Sequence, residues 1–310
     1  MRFPLKNSVG RIADTLKSLF LTSALLVVID VHAQVPVDNA SEQRVAQVPM
    51  RGVGVFGSTL QLHTEVFKPI GVGPYPVLVY SHGRSGTQKE RDAMSEVIPR
   101  AYLQFWLLRG FAVVAPARPG YGATGGSDRE MPGHGWNSAG ACLGTPNPEK
   151  VAMIASAAVE ATINWLGDQP WANTKKLILS GNSVGGLATV LLGSKSLPGV
   201  LGYINFAGGI AGNPDISPGK SCAPDRVQAA YAKWGQSTRT PNLWLYAEND
   251  LFWGSDAPKQ WHASFAAGGS QTKLVTTGPV PGKDGHDLIF VGQALWSEHV
   301  DAFIKTNGFN

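Results

Sequence analysis

The stretch LILSGNSVGGLA, residues 177–188, decides the fold. Leu177, Ile178 and Leu179 read as the end of a buried strand, and from Leu187 the chain turns apolar again at helical spacing. Between them stands Gly181-Asn182-Ser183-Val184-Gly185, a serine with glycine two positions to either side. A nucleophilic serine needs this setting. A sharp strand-to-helix turn lifts the hydroxyl clear of the sheet, and crowding at the turn demands small flanking residues. The helix N-terminus that follows favours developing negative charge. A five-residue pattern arises readily in a chain with 37 glycines, so the rest of the constellation has to carry the reading.

Working outward, apolar strands alternate with helices. Residues 59–67 alternate like an exposed antiparallel strand, and YPVLVYSHG and FAVVAPARPG read as buried strands. Residues 92–109 and 149–167 read as helices, and 120–148 as a long loop rich in Gly and Pro. After the opening stretch come the strand LGYINFAGG, a loop, a helix near 223–235 and the strand NLWLYAEND. A helix near 257–267, the strand TKLVTT, the loop GPVPGKDGHD and a closing helix over 287–305 complete the chain. This order predicts an α/β fold, a mostly parallel central sheet with helices on both faces. In such a sheet the functional loops lie at the carboxyl ends of the strands.

Those loops supply partners for Ser183. In the expected order of nucleophile, acid and base, three of the seven histidines follow a plausible acid: His262, His286 and His299. His262 and His299 sit in helical patterns. His286 sits in the loop GKDGHDL, where the neighbouring glycine permits close approach, and it is the expected base. The acid should follow a strand, and Asp250 ends NLWLYAEND, with Glu248 and Asp256 as lesser candidates. An oxyanion hole needs two backbone N–H groups. Val184 follows the nucleophile, and Arg84 lies in the loop Ser81-His82-Gly83-Arg84 after an early strand. His82 reads as a structural residue that hydrogen-bonds this loop.

Taken together, these residues resemble the α/β-hydrolases, in particular the dienelactone-hydrolase-like and secreted carboxylesterase branches. The matching segments are Ser81–Arg84, Arg118-Pro119-Gly120-Tyr121-Gly122, Gly181–Gly186, Asp250 and Gly285-His286. Dienelactone hydrolases are associated with a cysteine nucleophile. Serine in that place favours a general serine esterase that takes a small-molecule ester and needs no cofactor. The resemblance puts Trp136 and Trp253 in loops on the catalytic face, where they either line a substrate pocket or pack the loops. It leaves Arg84 and Arg118 either to bind a carboxylate or to pair with Asp128 or Glu130. It also places Cys142 and Cys222 in two loops on that face. As the two cysteines of an exported chain they are expected to pair, and so to staple a fixed rim around the pocket.

Composition narrows the class. Hydrophobic residues make up 43% and charged residues 15% of 310, a globular balance. Arg2, Lys6, Arg11 and Lys17 precede the apolar run Leu19–Ile29 and the small-x-small site Val31-His32-Ala33. Residues 1–33 thus read as a signal peptide, with a run too short to span a bilayer stably. The protein is expected to be secreted or periplasmic. With Asp14 and Asp30, this leader accounts for two of the four net positive charges. No basic stripe interleaved with aromatics points to nucleic acid, and no His, Cys or acidic spacing points to a metal. Residues 34–50 read as a flexible linker and 51–310 as one catalytic domain. The same triad could serve a peptidase or an acyltransferase. A non-catalytic binding protein on the same scaffold is the reading from another class.

Overall fold

The computed structural model describes residues 41–54, 57–131 and 133–309, apart from the His134 side chain. The expected signal peptide, with residues 34–40 of the expected linker, lies outside them. The strands are β1 (Ser41–Met50), β2 (Leu60–Pro69), β3 (Tyr75–Ser81), β4 (Ala112–Pro116), β5 (His134–Trp136) and β6 (Cys142–Gly144). They continue with β7 (Ala172–Asn182), β8 (Val200–Phe206), β9 (Gly212–Asn213), β10 (Ser217–Ser221), β11 (Asn242–Ala247) and β12 (Thr272–Thr277). The helices are α1 (Gln88–Asp92), α2 (Arg100–Leu107), α3 (Pro148–Leu166), α4 (Val184–Gly193), α5 (Pro224–Gly235), α6 (Asp256–Ala266), α7 (Leu288–Val291) and α8 (Gln293–Thr306).

Eight strands form one sheet in the order β1-β2-β4-β3-β7-β8-β11-β12. β1 and β2 run antiparallel, and every pair from β4 to β12 is parallel. Period-two alternation sorts the side chains between two layers. Leu78, Tyr80, Ile178, Leu243 and Leu245 face Tyr102, Trp106 and Trp296 of α2 and α8. Val77, Val79, Leu177 and Leu179 face Val159 and Leu166 of α3. α4, α5 and α6 bury Leu187, Tyr231 and Trp261 in a third cluster with Trp244. Both faces of the sheet are covered, as a parallel sheet requires.

One expectation is overturned. Residues 41–50, expected to belong to the flexible linker, are the edge strand β1, paired with β2 along its whole length. The signal was a short alternation: Val48 and Met50 point inward and pack with Leu62 and with Ala158 of α3. Pro49 between them points outward. On an edge strand its missing N–H costs no ladder bond. β2 is more buried than the exposed strand expected over 59–67, because both its faces are packed: Leu62 and Val66 join the clusters of Ala158 and Val159 of α3, and Phe67 that of Tyr102 of α2. Of the helix expected over 92–109 only α2 (Arg100–Leu107) forms, α1 ending at Asp92, and Gly292 divides the closing helix. The Gly- and Pro-rich loop 120–148 holds the hairpin β5-β6, and β9-β10 forms a second hairpin apart from the main sheet.

Candidate active site

The turn after β7 is tight. Ser183 has φ 52° and ψ −123°, a region that costs a non-glycine residue roughly 1–3 kcal/mol. Its side chain makes no capping bond to α4. Gly185 shows why the flanks are small: a Cβ there would run into the carbonyl oxygens of Ser81 and His82. β3 and β7 are neighbours with Ser81 opposite Gly181, so the loop after β3 lies against the turn. A Cβ built on Gly83 would stand 3.4 Å from Ser183 Cβ. Tyr80 donates to Asn182 Oδ1 at 2.6 Å and Tyr102 donates to Ser180 Oγ at 2.8 Å, which pins the approach to the turn from below.

Asp250, after β11, is the carboxylate that meets His286. Its Oδ2 lies 3.1 Å from His286 Nδ1, while its Oδ1 accepts the backbone N–H groups of Phe252 (2.7 Å) and Trp253 (3.1 Å). Glu248 is exposed, and Asp256 pairs with Lys259. His262 is hydrogen-bonded to Thr272 Oγ1. Asp284 stitches the two loops together by accepting from His286 N (2.9 Å) and Leu251 N (2.8 Å). The glycine beside the histidine is needed for this approach, because a Cβ on Gly285 would collide with Asp250 N. Among the described residues no hydrogen bond joins Ser183 Oγ to His286, a contact that often closes only when substrate binds.

Phe252 connects the two. It stacks on the His286 ring with centroids 4.0 Å apart, and it lines the same cavity as Ser183. The stack had no sequence signal beyond an aromatic residue two positions after the acid. The cavity measures about 900 Å³ and is lined by Ser183, Val184, Arg84, Trp136 and Trp253 among others. Trp136 is half-buried at its wall. Trp253 is mostly core: its Nε1 donates to Ala207 O at 2.8 Å, and its ring meets His286 edge-on. Trp234 is buried within the α4–α6 cluster. The cystine Cys142–Cys222 joins β6 to the residue after β10, with Cα atoms 5.2 Å apart. Among the described residues no group of three or more His, Cys, Asp or Glu could hold a metal ion, and no helix is long and apolar enough to cross a membrane.

The arginines are paired rather than free. Arg84 Nη2 meets Asp128 Oδ2 at 2.6 Å. Arg118 is 1% exposed and grips Glu130, also 1% exposed, through Nε to Oε1 and Nη2 to Oε2. Its remaining donors go to the loop after β3: Nη1 to the His82 carbonyl and Nη2 to the Gly83 carbonyl at 3.1 Å. The backbone N–H of Arg118 donates to His82 Nε2 at 3.1 Å, which leaves His82 Nδ1 to donate to Gly83 O at 2.7 Å. His82 therefore has the structural role expected of it, with its tautomer set by two bonds.

Burial, reinforced by Arg118, holds the His82 pKa well below its ordinary value. The folded protein keeps the ring neutral while the unfolded chain protonates it below about pH 6.5. The unfolded state then binds more protons, so stability falls as pH drops, by about 1 kcal/mol per unit below 6.5. Urea midpoints at pH 7.5 and 5.5 should show this fall. His82→Asn should remove most of it, leaving the smaller share of His262, whose pKa burial also lowers.

No family model and no curated protein matches the chain. Solved structures do. An esterase of Pyrococcus furiosus is 13% identical with a TM-score of 0.57, covering 88% of this chain and 95% of that one. The chain has the α/β-hydrolase fold. A protein of Klebsiella pneumoniae assigned to the dienelactone hydrolases superposes on the same α/β-hydrolase core with TM-score 0.52 at 14% identity, over 81% of this chain and 90% of its own. Est1E of Butyrivibrio proteoclasticus, solved with ferulic acid bound, gives TM-score 0.55 at 15% identity, over 84% and 98%.

Proposed function

We propose that this α/β-hydrolase chain is a serine hydrolase that cleaves carboxylic esters through an acyl-enzyme. Ser183 attacks the ester carbonyl, and His286 takes its proton and returns it to the leaving alcohol. Asp250 orients the ring and stabilises the imidazolium. The backbone N–H groups of Val184 and Arg84 bind the oxyanion. Val184 begins α4, where the first N–H groups have no intrahelical acceptor. Water then attacks the acyl-enzyme by the same relay and releases the acid. The observation that carries the reading is the Asp250–His286 pair, tied by Phe252 to the cavity that holds a strained, uncapped Ser183. Trp136 and Trp253 form part of the substrate wall. A secreted or periplasmic location fits the leader-like residues 1–33 and the cystine.

Fluorophosphonate labelling of the protein, alongside hydrolysis of p-nitrophenyl acetate, tests this. Labelling at Ser183 with turnover supports it. A folded protein that is neither labelled nor active would move the weight to a binding protein on this scaffold.

A further inference from the structure

Three of the large apolar side chains exposed on the described surface meet at one cavity. Met131 is 69% exposed, Leu143 51% and Ile216 41%, and all three line the cavity that holds Ser183. With Trp136 they give that cavity a wet apolar wall. Exposed apolar surface at a cavity mouth marks a place where an apolar ligand is meant to lie. Leu143 and Trp136 belong to the hairpin β5-β6, and Ile216 sits between β9 and β10 of the other hairpin. Neither hairpin is part of the main sheet. The cystine holds them together, with Cys142 next to Leu143 and directly across the hairpin from Trp136. Cys222 closes the second hairpin through its N–H to Ala211 O at 2.8 Å. The turn of the first hairpin at Gly140 backs onto the Ile216 carbonyl.

Resting on the esterase reading above, we propose that these two cystine-tied hairpins are the acyl-binding wall, and that the substrates are esters of extended apolar acids. The acyl chain runs from the Ser183 carbonyl site along Trp136 to Leu143, Ile216 and Met131. The polar side of the cavity holds Arg84 and Arg91, which share the single carboxylate of Asp128 at 2.6 and 3.6 Å. A charged or strongly polar acyl group would lie on apolar side chains and lose its hydration.

The test is a series of p-nitrophenyl esters from acetate to decanoate. Each methylene buried on the wall in the transition state should raise kcat/KM two- to fourfold, so octanoate should exceed acetate at least tenfold. Leu143→Ser with Ile216→Ser should lower the octanoate-to-acetate ratio severalfold. Cys142→Ser with Cys222→Ser should do the same, because the wall loses its tie. Leu108→Ser, a control at an exposed apolar residue that does not line this cavity, should leave the ratio alone. A profile that peaks at acetate, or a ratio unmoved by the wall substitutions, overturns the proposal. Failure to turn over any ester, with no fluorophosphonate label, would count against the esterase reading instead. The wall would then be judged by octanoate against acetate quenching of tryptophan fluorescence in Ser183→Ala. Octanoate binding that Leu143→Ser weakens supports the wall, and no preference for octanoate overturns it.

Discussion

Ser183→Ala is expected to lower kcat/KM on p-nitrophenyl acetate by about 10⁴-fold or more and to abolish fluorophosphonate labelling. His286→Ala should cost about as much. The double variant should be no worse than either, because the relay works only as a unit. Asp250→Asn should lose about 10³–10⁴-fold, since the amide can present its N–H to Nδ1 and hold the wrong tautomer. None of these losses should come from unfolding. Alanine at 183 keeps the Cβ and therefore the backbone strain at φ 52°. Ser183→Gly removes that strain and should raise unfolding stability by about 1–2 kcal/mol, while abolishing activity. A Ser183→Ala protein with more than a tenth of wild-type turnover would sink the assignment.

The second large effect is expected at the Arg118–Glu130 pair. Removing one partner leaves an uncompensated buried charge, so Arg118→Ala or Glu130→Ala should cost about 3–5 kcal/mol of stability. Replacing both, as Arg118→Met with Glu130→Leu, removes that charge and should recover most of the stability. Activity should not recover with it. Both guanidinium amines of Arg118 hold the carbonyls of His82 and Gly83, and the next residue carries the proposed Arg84 oxyanion donor. Freed of this grip, the donor should drift from the developing oxyanion, and kcat should fall about 10²-fold with KM little changed. Arg118 and Glu130 are in this sense positioning residues. A stable double variant with wild-type kcat would show the pair to be structural only.

How much of this was legible in the sequence depends on the range of the interactions. The opening stretch announced its turn because strand, glycines and helix are local signals. Asp250 and Gly285-His286 could be chosen because chain order and strand ends restrict an acid and a base to few loops. The position of Asp250 after an apolar strand favoured it over Glu248, and the structure brings its carboxylate to His286 Nδ1. The strand β1 was missed because its inward residues are few and its partner β2 lies further along the chain. An edge strand with a proline reads as linker until the partner is in place.

The sequence by itself determined the alternation of strands and helices, the strained serine turn, and the small set of loops from which acid and base could come. These follow from backbone sterics, side-chain periodicity and the order of elements, all carried by neighbouring residues. Only the tertiary structure decided that Arg118 would be spent on Glu130 and two loop carbonyls rather than left to a substrate carboxylate. Only it stacked Phe252 on His286 and turned Leu143 and Ile216 toward the Ser183 cavity. Those outcomes depend on which distant loops share one end of the sheet and on how buried charge is neutralised there, and neither is fixed until the strands have packed.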